Sequence, residues 1–270
     1  MRLHEYLLGD GVRAFSTMRT GGVSTGNHAS FNINRHCGDS EESISSNRAL
    51  LARELGVAAE DILYPLQVHG SDYKIVTTEL LSLDADGRQA YIDGCDALIT
   101  DIANVCIGVS TADCIPIVIY DREHHCAAVV HAGWRGTVKR IAEVVVAAMG
   151  RHFASRPEML RAAIGPGISL AAFEVGDEVY ETFLAAHFPM QKIAKRYPPM
   201  DTPDCERHKD APKWHIDLPA CNRLQLIDAG LTDENILSSG ICTYHNSADF
   251  FSARRLGTES GRVFTAALLT

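Results

Sequence analysis

Residues 105–120 read VCIGVSTADCIPIVIY, and residues 126–136 read CAAVVHAGWRG. The Ile- and Val-rich runs at 105–109, 115–120 and 126–130 are bounded by turn-forming residues, and a similar run covers 97–100. Continuous apolar runs of this length predict strands buried on both faces. Immediately downstream, over 137–149, Ile141, Val144, Val145 and Ala148 recur at i, i+3, i+4 and i+7. That period predicts an amphipathic helix laid on the sheet. Working outward, strands are expected at 12–18, 62–68, 161–164, 236–238 and 263–268. Helices are expected at 177–186 and 218–228, and from the capping-box spacing Asp39-Ser-Glu-Glu42 to Gly56. Residues 188–213, rich in Pro and mixed charge, read as a long surface excursion rather than a domain boundary. No internal repeat or low-complexity tract interrupts the chain. The pattern is that of a mixed α/β (α+β) chain, with residues 1–270 forming one unit.

The 46% hydrophobic and 22% charged content is enough for a core without disulfide or metal staples. A formal charge of -9 argues against nucleic acid, whose phosphates require clustered Lys and Arg, and favours small-molecule ligands. The opening MRLHEYLLGD lacks the features of a leader, and no segment approaches an apolar membrane span, so a cytoplasmic location without membrane attachment is expected. The eight cysteines, at 37, 95, 106, 114, 126, 205, 221 and 242, are scattered singly. That distribution suits reduced thiols rather than a disulfide framework, and only Cys114 has a context that suggests chemistry. Oligomeric state leaves no mark in the sequence.

Three segments run from an apolar strand into a metal-ligating side chain and then a turn: Gln67-Val-His69-Gly70, Ser110-Thr-Ala-Asp-Cys114 and Val130-His131-Ala-Gly-Trp-Arg-Gly136. Ligands in α/β sheets gather where strand ends open into loops, so His69, Cys114 and His131 are candidates to converge on one pocket. Two imidazoles and a thiolate suit zinc, and three protein ligands leave the fourth position open, as in catalytic zinc sites. The same residues also fit a core thiol and two histidines that merely cap strand ends. Other positions carry comparable alternatives. Asp113 orients a ligand or makes a turn. Trp134 stacks on a substrate or packs against the helix after it. Arg135 contacts an anion or is solvated. Gly165-Pro-Gly167 lines a pocket by close backbone approach or simply turns. The glycines at 21, 22 and 26 do not match a dinucleotide fingerprint, and His124-His125-Cys126 reads as a surface turn entering a strand.

With these segments identified, the chain from about Arg13 onward resembles the laccase-domain family, the purine nucleoside phosphorylase proteins first labelled polyphenol oxidases. The resemblance is carried by Gln67-Val-His69-Gly70, Asp96-Ala-Leu-Ile-Thr100, Ala112-Asp-Cys-Ile-Pro116, His131-Ala-Gly-Trp-Arg-Gly136, Ile164-Gly-Pro-Gly167, Glu174-Val-Gly176 and Phe250-Phe-Ser-Ala-Arg-Arg255. It implies zinc held by His69, Cys114 and His131, which would also be the catalytic residues, and a layered sandwich of β-sheets flanked by helices. It further implies phosphorolysis of adenosine, inosine, guanosine and methylthioadenosine, with adenosine deamination as a second reaction. Asn47-Arg48 also matches a family position, which makes Arg48 a candidate for substrate binding beside Arg135, its alternative being a solvated helix arginine. Two departures stand out: Gly165-Pro-Gly-Ile168 replaces the Gly-Pro-Cys-Ile of many relatives, and Phe173 replaces a tyrosine.

Two rival chemistries use the same residues. The family's older name points to copper, but an electron relay among several coppers needs clustered histidines, and the 12 here are dispersed. A metal-free cysteine hydrolase would use Cys114 as nucleophile and His131 or His69 as base. A non-enzymatic zinc module fits least, because three ligands leave its site open.

Overall fold

The apolar runs become the central strands of two sheets. The computed structural model describes residues 1–198 and 211–270. With strands numbered in chain order, the six-stranded sheet runs β13 (Ile236–Ser238), β9 (Arg161–Ile164), β7 (Ile115–Asp121), β8 (Cys126–Ala132), β5 (Ala97–Thr100), β4 (Tyr73–Ile75). The five-stranded sheet runs β1 (Leu3–Tyr6), β2 (Val12–Thr17), β14 (Val263–Leu269), β6 (Cys106–Thr111), β3 (Ile62–Leu63). A third sheet of β10 (Glu174–Val175), β12 (Lys213–Ile216) and β11 (Ala194–Tyr197) is smaller.

Side-chain alternation sorts the residues of β7 and β8 into two cores. Ile115, Ile117, Ile119, Ala128 and Val130 pack beneath the helices Ile141–Phe153 and Leu218–Asp228. Val118, Tyr120, Ala127 and Val129 face Ile107, Val109 and Ala267 of the five-stranded sheet. The outer face of that sheet, through Phe15, Phe264 and Ala266, is covered by Leu51 and Ala52 of the helix Glu41–Leu55. The result is helix, sheet, sheet, helix: the mixed α/β layered sandwich that was expected. With both faces of β7 and β8 covered, their sequences have no reason to alternate in polarity.

This layering fixes where chemistry can be placed. Strands β6 and β7 belong to different sheets, yet only residues 112–114 separate them, so the chain changes layer at Cys114. Position 131 shares the inter-sheet face of Val129, at the end of β8. Both candidate ligands therefore lie at one end of the sandwich, where the sheets part.

Several expected elements end differently. The strand expected over 62–68 stops at Leu63, because Pro65 has no N–H to donate. Beyond it, the Gln67 carboxamide takes over the edge of β6, accepting from Ser110 N at 2.8 Å and donating to Ser110 O at 2.8 Å. The helix expected over 137–149 is two helices, Trp134–Val138 and Ile141–Phe153, separated by Arg140 at φ 62°. The first long helix is capped by Ser40, which accepts from Ser43 N, rather than by Asp39, and it ends on Gly56 as expected. Part of the excursion over 188–213 is structured, as the helix Met190–Ile193 and strand β11, while residues 199–210 lie outside the described residues. His124 and His125 sit at the turn before β8, bonded to Asp121 and Tyr120.

One buried polar residue ties the loop over 22–39 to the first long helix. Asn47 is fully buried; its Oδ1 accepts from Val23 N at 2.9 Å, and its Nδ2 donates to Ser24 Oγ at 2.9 Å and Asn32 O at 2.8 Å. Asn32 in turn donates to Asp39 and accepts from the Arg262 amide. Replacing Asn47 by Ala strands buried donors and acceptors. A loss of about 3 kcal/mol is expected in urea unfolding, with an unchanged m-value. A wild-type midpoint would show that the loop is held by other means.

Candidate metal centre

The site is organised by a carboxylate. Asp96, fully buried at the start of β5, accepts from the backbone N–H groups of Val68 at 3.3 Å, His69 at 3.0 Å and Gly70 at 2.6 Å. It also receives a hydrogen bond from His131 Nδ1 at 2.7 Å. His69 adopts φ 59°, a left-handed conformation uncommon outside glycine, and the amide cluster on Asp96 holds it there. A carboxylate that only accepts places the imidazole proton on Nδ1 of His131, leaving Nε2 for the cluster.

Cys114 reaches the same point from the layer crossing. Asp113, at φ 89°, anchors that turn: its carboxylate accepts from Thr243 Oγ1 at 2.7 Å and Arg254 N at 2.6 Å. Asp113 therefore fixes the Cys114 turn from behind. The metal-binding atoms of His69, Cys114 and His131 all lie within 4.8 Å of one another. A side chain at Gly133 would intrude on them, since a Cβ there would lie 3.0 Å from His69 Cδ2 and 3.1 Å from Cys114 Sγ. The glycine keeps that approach to the cluster clear, so the residues present fit a small ion. Gly167 serves the same turn: a Cβ there would lie 3.1 Å from Asp113 O and 2.3 Å from Ile115 Cδ1. A cysteine at this position would require Ile115 to shift.

The electrostatics favour the ligating forms. Burial alone pushes the Cys114 thiol up, but the charge and hydrogen bond of His131, helped by His69, bring it down to about 6. Burial opposes charge on His131 too, yet the Cys114 thiolate and Asp96 raise it to about 9. Asp96 is held below the ordinary carboxylate range: burial works against its charge, and the hydrogen bond and charge of His131, with the amides of Gly70 and Val68, prevail. Each charged form stabilises the other, so the Cys114 thiol is biased toward thiolate and His131 toward imidazolium. One thiolate and two imidazoles suit a tetrahedral ion such as zinc with one position left open.

The cluster opens onto a cavity of about 420 Å³, within the range of small-molecule sites. Pro65, Leu66, Gln67, Asn34, His36 and Arg262 contribute to its wall. The structure brings His69, Cys114 and His131 to this cavity, whereas Arg48 and Arg135 do not line it. The Arg48 guanidinium donates to Ala59 O and Ile62 O and lies over Tyr64, beside a separate hollow. Arg135 lies over the Trp134 ring at 4.2 Å, and Trp134 packs on the helix-side core. Sequence reasoning missed Asp96 as an organising group and Gln67 as a strand surrogate. The available signal was an acidic residue directly preceding a wholly apolar strand.

Fold and cluster together define a layered α/β sandwich with a candidate single-metal centre at its open end. The chain belongs to the multi-copper polyphenol oxidoreductase laccase family, whose profile matches residues 13–270. It is 40% identical over 258 residues to a purine nucleoside phosphorylase of Bacteroides thetaiotaomicron, covering 96% of this chain and 92% of that protein. It is 41% identical over 256 residues to adenosine deaminase RL5 from an unknown prokaryotic organism, covering 95% and 93%. Its structure is similar to that of YlmD from Geobacillus stearothermophilus, with a TM-score of 0.84, 31% identity and coverage of 98% and 94%. Among the described residues, His69, Cys114 and His131 form the one group of three or more such side chains close enough to hold a metal. A multinuclear copper array would need several such groups together.

Metal uptake should depend on pH in a defined way. Between about 6 and about 9 the thiol is already ionised and His131 still carries its extra proton, so this pair releases about one proton per ion bound. Zinc affinity should therefore rise about tenfold per pH unit across that window, and more steeply below it. Competition with a chelator measures it; a flat profile would rule out the ion pair. Asp96→Asn should weaken zinc binding about tenfold to a hundredfold in the same assay.

Proposed function

We propose that the chain is a zinc-dependent purine nucleoside phosphorylase, acting on adenosine, inosine, guanosine and methylthioadenosine, with adenosine deamination as a second reaction. Residues 1–270 are read as one catalytic domain. The observation that carries this reading is the His69, Cys114 and His131 cluster, open on one side to a cavity large enough for a nucleoside. Similarity to the Bacteroides thetaiotaomicron purine nucleoside phosphorylase and to adenosine deaminase RL5 supports the two reactions.

Zinc held by His69, Cys114 and His131 would supply a Lewis-acid centre. The chain's own residues provide the rest. Cys114 contributes the anionic donor, and Asp96 fixes His131 in the tautomer that leaves Nε2 toward the ion. The clamp of Gln67 on Ser110 and the amide cluster on Asp96 hold both ends of the segment that carries His69. Positions set this firmly favour reaction by removing the cost of bringing reactants together. For phosphorolysis the cavity must bind phosphate near the sugar carbon as the purine departs, through a transition state with oxocarbenium character.

A specific observation favours one competing reading. Cys114, His131 and Asp96 are connected like a nucleophile, its base and an orienting carboxylate, and the thiol is already lowered to about 6. In that case the active protein would be metal-free and inactivated by alkylation of Cys114.

Purified protein given adenosine should release adenine only when phosphate is present, and inosine without it. His69→Ala, Cys114→Ala and His131→Ala should each abolish turnover, and Cys114→Ser should lose stoichiometric zinc. Full activity in any alanine variant, or a metal-free enzyme that iodoacetamide inactivates, would defeat the zinc assignment. Copper-loaded protein should show no oxygen uptake with a phenol.

A further inference from the structure

The charge around the cavity is one-sided. The protein carries 34 acidic residues and a net charge of -9, yet neither Asp nor Glu lines the cavity onto which the cluster opens. Apart from the Cys114 thiol of the cluster, the ionisable groups that line it are Arg262, His36, His69 and His131. The hollow beside Arg48 is different: there Arg35, Arg48 and Arg88 are matched by Glu60, Asp86 and Asp93. The lack of acids around the metal cavity is therefore a local property rather than one of the surface as a whole.

Arg262 is held in place without being neutralised. Its Nη1 donates to the carbonyls of Ser260 and Gly261, and its Nη2 donates to Thr258 O at 2.6 Å. No carboxylate pairs with it among the described residues, so the carbonyls orient the guanidinium and leave its charge available. Its backbone N–H donates to Asn32 Oδ1 at 3.1 Å, which ties it to the loop bearing Asn34 and His36. The pairing of Val263 with Thr111 sets Arg262 beside the segment leading to Cys114. His36 is exposed, and its ring has no hydrogen-bond partner among the described residues. Ser110 and Thr111, at the end of β6, also contribute to the cavity wall. A fixed guanidinium with no carboxylate partner and a free imidazole make a complement to a tetrahedral oxyanion.

We infer that Arg262 and His36 form the oxyanion subsite of this cavity and receive inorganic phosphate as co-substrate, an assignment that rests on the phosphorylase reading. A phosphate oxygen would form the bond to the sugar's anomeric carbon as the carbon–nitrogen bond to the purine breaks. The purine nitrogen takes the bonding pair together with a proton from solvent. Nothing is oxidised or reduced.

Calorimetric titration of the zinc-loaded protein with inorganic phosphate tests the subsite directly, and phosphate-dependent adenine release tests its use. Arg262→Gln should raise both the phosphate Kd and the phosphate KM by about tenfold to a hundredfold, the worth of a charge-assisted hydrogen bond, with a smaller change in the adenosine KM. Because Arg262 also pins the loop over 258–261, Arg262→Lys and the exposed His36→Gln are the companion variants. The lysine should retain most of the phosphate affinity, and His36→Gln should weaken it. Binding of phosphate that is identical in wild type, Arg262→Gln and His36→Gln would overturn the assignment, as would a wild type that binds no phosphate. Adenosine 5′-monophosphate distinguishes the source: if it binds through Arg262 while free phosphate does not, the subsite reads a phosphate ester and the co-substrate assignment falls. Phosphate binding through Arg262 without any purine release would leave the subsite standing and refute the phosphorylase reading.

Discussion

The carboxylate of Asp96 is the interaction on which the site depends. A charge buried this completely is costly unless it is fully hydrogen-bonded, and Asp96 is satisfied by three consecutive backbone amides and one imidazole. The same bonds that stabilise the charge also determine geometry. They hold His69 in a left-handed conformation, and they fix which nitrogen of His131 is free. Two of the three candidate ligands are thus oriented by one group that belongs to neither of their segments. The arrangement also requires β5 to lie beside β8, since the main chain of Asp96 accepts from His131 N at 2.7 Å.

The sandwich supplies what Asp96 cannot. Cys114 is positioned by topology, at the point where the chain leaves one sheet for the other, and Asp113 secures that point to Thr243 and Arg254. Segments far apart in sequence, near 69, 114, 131, 243 and 254, therefore act as one support. The loop bearing Asn34 and His36 joins it through Asn32, Asn47 and the Arg262 amide, so the far wall of the cavity is as firmly tied as the cluster itself.

Much of this was legible in the sequence, for identifiable reasons. The central strands announce themselves because burial on both faces leaves uninterrupted Ile and Val. The helix Leu218–Asp228 has the bounds that were expected of it. The ligand trio could be picked out because each member ends an apolar run. What could not be read is carried by side chains that substitute for backbone. Gln67 replaces a strand edge after Pro65, and Asn47 replaces a loop's own hydrogen bonds. Neither has a period or spacing, because each depends on a neighbour supplied by tertiary structure. The split at Arg140 is similar: a positive φ in a non-glycine residue leaves the apolar spacing unaltered. Arg48 and Arg135 illustrate the converse, since each is occupied away from the cavity, Arg48 by the carbonyls of Ala59 and Ile62 and Arg135 by the Trp134 ring.

The layer crossing at Cys114 has a thermodynamic consequence. An ion held by His69, Cys114 and His131 would be a cross-link between the two sheets, closing long chain loops much as a disulfide does. Its binding free energy would then resist separation of the layers as well as serve chemistry. Unfolding that begins by prising the sheets apart would have to break a coordinate bond first, so occupancy would govern how slowly the molecule comes apart.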